Sequence, residues 1–454
     1  MASAIEQLAK NANWGAFSKA TELKKRIMFA LGALLVYRLG TYIPVPGIDP
    51  AVWEDIYNQK GGGILDMFNM FSGGALQRMT IFALNIMPYI SASIIMQLAT
   101  AMSPKLEALK KEGEAGRTKI NQYTRYLTVL LASIQAYGLA VGLESMTGAG
   151  GMSAVIDPGF FFRASTVITI VGGTVFLMWL GEQITQRGIG NGISLIIFAG
   201  IVAGLPRALG SVLELGRQGQ FNAIELLALA LLIIGVIAFI VFMERAQRRV
   251  LVQYPKRQMG ANQMSMAQQN HIPLKLNTSG VIPPIFASSL LFLPLTIVNF
   301  TGTGASGGIL SQITAALQHG QPLYMLMYGG LIVFFAFFYT AIVFNPQENA
   351  EMLRKYGGFV PGIRPGKNTA DYLDYVLTRI TFLGALYLVF ICLLPEMLMS
   401  HYAIPFYFGG TSLLIAVSVT MDTVAQIHSH LIAHQYEGLI KKAKLKGTRD
   451  SGRR

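Results

Sequence analysis

The chain has 454 residues and a formal net charge of +13; 52% of its residues are apolar and only 13% are charged, with a mean hydropathy of +0.47. A soluble chain carries about 25% charged residues, so a string of soluble domains is excluded and a polytopic membrane protein is expected. The basic excess raises nucleic acid or anionic lipid as partners, but the positions of the charges give a topological explanation.

Residues 1–26 form a polar N-terminal segment. Met1 to Thr21 has no compact apolar core and no small-residue cleavage site, so it is not read as a signal peptide and the first span is expected to stay as an anchor. Apolar runs suitable for spanning then occur about ten times: near Ile27–Ile43, Ala75–Met102, Tyr123–Leu143, Phe160–Leu180, Ile193–Leu209, Ile224–Met243, Val281–Phe300, Leu323–Phe344, Val376–Met399 and Ile404–His428. Spans one to five make an N-terminal half, 27–216, and spans six to ten a C-terminal half, 217–434. The second half carries large polar loops at 244–279 and 345–375, and a basic tail follows at 435–454. Most of the 36 basic residues lie before the first span, in alternate loops and in that tail. The positive-inside rule then places both termini and these loops in the cytoplasm. Five spans per half would run the halves in opposite directions, the geometry of inverted repeats with a pathway at their interface. No sequence repeat accompanies this, so the symmetry is topological only.

The stretch Gly61 to Ile90 organises the chain. Ile64, Leu65, Phe68 and Phe71 recur at helical spacing, giving a short helix with one greasy face, far too short to cross a bilayer. Gly61–Gly63 and Gly73–Gly74 flank it and are expected to act as hinges. The span that follows, Ala75–Met102, carries Pro88 and then Ser91, Ser93 and Gln97 among apolar residues. Two readings stand on this pattern: a stopper beside a pathway, or a re-entrant loop that fills space. Pro88 in the second span, and Pro283, Pro284 and Pro294 in the seventh, are expected either to break the backbone ladder beside a cavity or merely to kink the helix.

Catalytic chemistry finds no scaffold. Gly113 to Lys119 has the look of a phosphate loop but lacks its Gly-Lys-Ser/Thr ending, and Gly188 to Gly192 reads as a tight turn. Neither His-Glu-x-x-His nor Gly-x-Ser-x-Gly occurs. His428, His430 and His434 near the last span are a weak metal candidate. Cys392 is the single cysteine, so no intrachain disulfide forms. Arg78, Arg163, Glu182, Glu244, Glu396 and Asp422 fall near span ends, without the mid-membrane relay expected of an ion-coupled transporter. An intramembrane protease would need a catalytic dyad at depth, which is not found. No enzyme activity, cofactor or metal is expected.

Longer motifs carry a resemblance. They are Tyr-Ile-Pro-Val-Pro-Gly-Ile-Asp (42–49), Met-Phe-Asn-Met-Phe-Ser-Gly-Gly-Ala-Leu (67–76), Met-Pro-Tyr-Ile-Ser-Ala-Ser-Ile (87–94) and Lys-Lys-Glu-Gly-Glu-Ala-Gly-Arg (110–117). Trp-Leu-Gly-Glu-Gln-Ile-Thr (179–185), Arg-Gly-Ile-Gly-Asn-Gly-Ile-Ser (187–194), Phe-Val-Pro-Gly-Ile-Arg-Pro-Gly (359–366) and Pro-Phe-Tyr-Phe-Gly-Gly-Thr-Ser-Leu-Leu-Ile (405–415) continue the series. The chain resembles, essentially from end to end, the SecY family, the channel subunits of the bacterial Sec protein translocase. The resemblance implies an all-α fold of ten spans in two pseudo-symmetric halves around an hourglass pore. It implies a plug at 61–74, with Ile64, Leu65, Met67, Phe68, Phe71, Gly73 and Gly74. Its constriction ring falls on Ile86, Ile90, Ile193, Ile197, Ile285 and Ile415, six side chains without charge or hydrogen-bonding groups. A lateral gate would lie between spans two and three and spans seven and eight, with Ser91 and Gln97 at its polar seam. Docking of the ribosome or the motor ATPase SecA would use Arg245, Arg248, Arg249, Lys256, Arg257 and Arg364. The resemblance further implies SecE-like and SecG-like small subunits, signal peptides and nascent chains as passengers, anionic lipids around it, no direct DNA role, and residence in the bacterial inner membrane.

Overall fold

The computed structural model describes residues 21–60, 69–146, 153–219, 222–254, 269–301, 321–402 and 410–450. Helices dominate: α1 (Thr21–Gly40), α2 (Pro50–Lys60), α3 (Met87–Met102), α4 (Pro104–Lys111), α5 (Glu114–Ser145), α6 (Phe160–Arg187), α7 (Gly192–Arg217) and α8 (Ala223–Arg245). A hairpin of β1 (Gln247–Gln253) and β2 (Gln269–Lys275) follows, then α9 (Ile282–Thr301), α10 (Pro322–Val343), α11 (Pro346–Lys355), α12 (Lys367–Tyr402) and α13 (Gly410–Asp450). Among the described residues seven helices are long and apolar enough to cross a membrane: α5 to α8, α10, α12 and α13. The apolar helix α3 and the apolar start of α9 are shorter. With the 20-residue α1, which opens on Glu22 and a basic cluster, they bring the spans to ten. The exposed faces are those of a lipid-facing surface. Leu227, Leu231, Ile234 and Phe242 of α8 are all exposed, and α8 buries almost none of its length. In lipid the backbone has no water to turn to, so long apolar segments close their hydrogen bonds as helices.

The second span departs from expectation. Ala75–Met102 is not one helix; residues 75–86 form consecutive tight turns, and the helix begins at Met87. Met79 (φ +46°) and Asn85 (φ +48°) are left-handed, and a right-handed helix cannot run through either. Extended pairing holds the segment instead: Val45 N donates to Met79 O at 2.9 Å and Ile81 N to Ile43 O at 3.0 Å. Pro88 consequently lies in the first turn of α3, where no intrahelical N–H is needed, and it breaks no ladder. Pro283 and Pro284 take the same place in α9.

The two halves meet along two seams. On one side α9 packs against α3 and α5; on the other α13 packs against α7 and α1. One continuous core joins them, drawing Ile86 and Ile90 from the α3 region, Ile196 and Ile197 from α7, Phe286 and Ala287 from α9, and Leu414 and Ile415 from α13.

A second, smaller core sits at one end of the helical bundle and includes residues of α12. Val250 and Val252 alternate inward along β1. With Leu274 of β2, Val360, Val376 and Ile380 they form one cluster. Gln253 and Phe359 exchange both backbone hydrogen bonds, at 2.9 and 3.0 Å. The two large polar loops, read separately in the sequence, are therefore one folded body at the end of the bundle that carries the basic loops.

Candidate functional site: a constriction and its plug root

A small cavity between the halves is lined by residues from three helices and the turns before α3. Ile86, Met87 and Ile90 come from the entrance of α3, where Ile86 stands at the N-cap position. Spacing of i, i+4 puts Ile86 and Ile90 on one face. Ile197 comes from α7, whose start is set by Asn191, its Oδ1 accepting from Ile193 N at 3.1 Å. The turn before it is tied to α13, Gly190 N donating to Gln426 Oε1 at 2.8 Å. Ile285 and Ser288 come from α9. Together with Phe71 and Asn85 these side chains enclose a cavity of about 10 Å³, room for about one water molecule. Ile86, Ile90 and Ile197 are buried. An apolar waist this narrow excludes a hydrated ion, which cannot shed its shell without compensation.

Four of the six expected ring isoleucines thus line one cavity. Ile415 is fully buried in the same core but is not among the lining residues. Ile193 is half-buried, and its Cγ1 lies 3.2 Å from where a Cβ on Gly181 of α6 would stand, so it packs toward α6. Asn85 and Ser288 put hydrogen-bonding groups at the waist, which the six isoleucines alone do not suggest.

Of the expected plug residues, Ile64, Leu65, Met67 and Phe68 lie outside the described residues. Phe71, Gly73 and Gly74, the described end of the expected plug, belong to a turn in which each successive carbonyl accepts a side-chain donor. Asn85 Nδ2 donates to Phe71 O at 2.6 Å, and Tyr37 Oη to Ser72 O at 3.2 Å. Gly73 O accepts from Arg38 at 2.8 Å and from Arg78 at 3.2 Å. Gly74 O accepts from Arg78 Nε at 3.1 Å. Gly73 (φ +66°) and Gly74 (φ +85°) provide the left-handed turn this needs. Both carbonyls are hydrogen-bonded in this arrangement, while Gly61–Gly63, the other expected hinge, lie outside the described residues. Trp53 of α2 braces the next turn, its Nε1 donating to Leu76 O at 3.0 Å. Arg38 and Arg78 both lie over the ring of Tyr42, at 5.1 and 4.1 Å from its centroid. The hydrogen bond from Arg78, aided by the Arg38 charge, holds the Tyr42 phenol below its ordinary range. Arg78, expected inside a span, is thus outside any helix. Tyr37, Arg38, Trp53 and Asn85 were not expected at the site; the signal was a polar residue, Arg38 or Asn85, inside an apolar run.

Helices α3 and α9, which pack against each other, both carry small and polar side chains. Ser91 is buried, and Gln97, half-buried, donates to Ser93 Oγ at 3.2 Å. Gln97 Oε1 on α3 and Ser289 Oγ on α9 are both buried without a hydrogen-bond partner.

At the basic end Arg245, Arg248, Arg249 and Arg364 are exposed, while Lys256 and Arg257 lie outside the described residues. Arg364 sits between Gly362 (φ +82°) and Gly366 (φ +108°). Its carbonyl accepts from Thr369 Oγ1 at 2.9 Å, and Ile363 beside it packs on the small core. The backbone is held and the guanidinium points outward from the folded body.

Comparison with known proteins places this geometry. The SecY family model matches residues 80–424. The protein translocase subunit SecY of Escherichia coli (strain K12) is 57% identical over 426 residues, 94% of this chain and 96% of that protein. That of Vibrio cholerae is 56% identical over 433 residues, 95% and 96% of the two chains. Among solved structures, a protein-conducting channel matches with a TM-score of 0.64 at 19% identity, over 90% of this chain and 92% of that one. Sec61 in a canine ribosome–channel complex matches with a TM-score of 0.60 at 18% identity, over the same shares. The chain belongs to the SecY family of protein translocase subunits.

Proposed function

We propose that the chain is the central pore-forming subunit of a protein-conducting channel, passing unfolded secretory chains across the membrane and releasing apolar segments sideways into it. The observation that carries this is the waist itself. Isoleucines from both halves close a cavity of about 10 Å³ directly against Phe71, on the interface where α9 packs against α3. Ile86, Ile90, Ile197 and Ile285 act as a gasket, dry at rest and fitted around a polypeptide when occupied; Ile193 and Ile415 support it from behind. Isoleucine has no group that selects a sequence, so the gasket accepts any chain. Phe71, Gly73 and Gly74 root the plug that Ile64, Leu65, Met67 and Phe68 complete. Ser91 and Gln97 mark the lateral gate.

The chain is not an enzyme in this reading, and a partner supplies the energy. Exposed Arg245, Arg248, Arg249 and Arg364, with Lys256 and Arg257, dock the SecA motor or the ribosome; a pre-organised arginine suits acidic or phosphate groups. A channel structure of the same fold comes from a ribosome–channel complex, which supports the second. SecE-like and SecG-like subunits cover the exposed apolar faces, and anionic lipid meets the basic end. Both termini lie in the cytoplasm in this reading, which the distribution of basic loops supports, and the membrane is the bacterial inner one. The test is reconstitution of the chain with its small subunits and motor into vesicles. Protease protection of an added secretory precursor is expected; a precursor that stays fully digestible while the motor hydrolyses ATP overturns the reading.

A further inference from the structure

We propose that Asn85 is a latch that couples the plug root to the constriction, so that the plug leaves and the ring opens as one event. The inference rests on the channel reading above. Asn85 is the residue before Ile86, and it is buried. Its φ of +48° lies where glycine is at ease, asparagine is tolerated and most side chains are strained. Its Nδ2 donates to Phe71 O at 2.6 Å, and only the NH₂ end of the amide can face a carbonyl. The carbonyls on either side, of Met70 and Ser72, accept backbone N–H groups from Gly73 and Ala75. Phe71 O takes its donor from the ring side.

Asn85 also lines the waist cavity beside Ile86, Ile90, Ile197 and Ile285, and its Oδ1 is buried there without a partner. Withdrawing Phe71 while the ring stays shut would take from Nδ2 its carbonyl acceptor, leaving the amide in an apolar pocket with only the Tyr37 and Ser288 hydroxyls near it. Opening the ring while the plug stays seated would pull the amide off Phe71 O. Either half-step leaves buried polar groups unpaired, the costly direction for a hydrogen bond. Opening both together exposes the amide to water or to a passing peptide backbone, which satisfies it. Asn85 is thus a positioning residue that makes gating all-or-none.

Two variants separate the latch from support of the turn. Asn85→Gly keeps the left-handed backbone and deletes the amide. Asn85→Asp keeps the shape, and its carboxyl donates to Phe71 O when protonated but repels it when ionised. Tyr37, Arg38 and Arg78 are the other titratable or charged side chains hydrogen-bonded to this segment. The experiment is the resting potassium conductance of the purified complex in planar bilayers across that pH range, with thermal unfolding in parallel. Asn85→Gly should conduct about tenfold more at rest, the factor for one net hydrogen bond, while the protein stays folded at the temperature of recording. Asn85→Asp should seal at low pH and leak as the pH rises, while the parental protein does neither. Parental conductance in Asn85→Gly, or a pH-independent parental conductance in Asn85→Asp, overturns the latch. Transport of a secretory precursor by the parental complex in the same preparation tests the channel reading separately.

Discussion

Gly200 of α7 shows how closely the plug root is seated. A Cβ built there would stand 2.5 Å from Phe71 O, 3.1 Å from the Tyr37 hydroxyl and 3.3 Å from Gly73 N. An ordinary C···O contact is about 3.3 Å or longer, so Gly200→Ala pushes the root back by roughly 0.8 Å. That displacement acts on the same carbonyls that Asn85 and Tyr37 hold. Overpacking of this kind costs about 1–3 kcal/mol, against a helix-propensity gain of about 1 kcal/mol for replacing glycine by alanine. Gly204, one turn further along α7, meets nothing within 4 Å, so Gly204→Ala collects the gain alone. The two alanines therefore differ by about 1–3 kcal/mol, or roughly 5- to 150-fold in the balance between seated and unseated plug. Single-channel recording in planar bilayers, with thermal unfolding in parallel, measures this. Gly200→Ala should leak at rest and Gly204→Ala should behave as the parent. A Gly200→Ala protein with parental resting conductance and parental unfolding midpoint would refute the seating of the root on α7.

Replacing Ile86, Ile90 and Ile285 together with serine should leave a folded, transporting channel that leaks small ions at rest; stable protein with no added current would remove the gasket from the mechanism. Arg364→Glu should abolish motor-driven transport in vesicles at normal abundance, and normal transport by this variant would exclude the arginine from docking. Val252→Asp puts a carboxylate into the small core, where Val252 is 1% exposed, at a cost of several kcal/mol. Residues 244–279 should then become open to limited proteolysis while the membrane helices keep their unfolding temperature; an intact, protected hairpin would show that this core does not hold the loops together.

Most spans were legible because lipid leaves the backbone little choice. The run Ile224–Met243 sits within α8 with a residue or two to spare at each end, as length and hydropathy require. The same signal fails at 75–86. Ala75, Leu76, Phe82, Ala83, Leu84 and Ile86 are all buried, so their apolarity reports burial and not helix. The break comes from left-handed backbone at Met79 and Asn85, and methionine bears no mark of it. The β-hairpin was invisible for a different reason. Its seven-residue first strand carries Arg248 and Arg249, and its inward valines are sealed by Val360, Val376 and Ile380 from a distant part of the chain. At the site, the i, i+4 isoleucines could be read in advance. The donors that hold the plug root could not, since Tyr37, Arg38 and Arg78 act on backbone carbonyls, which no sequence pattern displays.

The central claim is that a polypeptide passes through the waist formed by Ile86, Ile90, Ile197 and Ile285. Its most direct test is site-specific disulfide cross-linking of a secretory chain stalled in transit. Single cysteines would be placed at those four positions and, as a comparison, at Leu231, which is exposed on α8. The account predicts that one residue of the stalled chain cross-links to all four waist positions and not to Leu231. A chain that cross-links to Leu231 but to none of the four would contradict it.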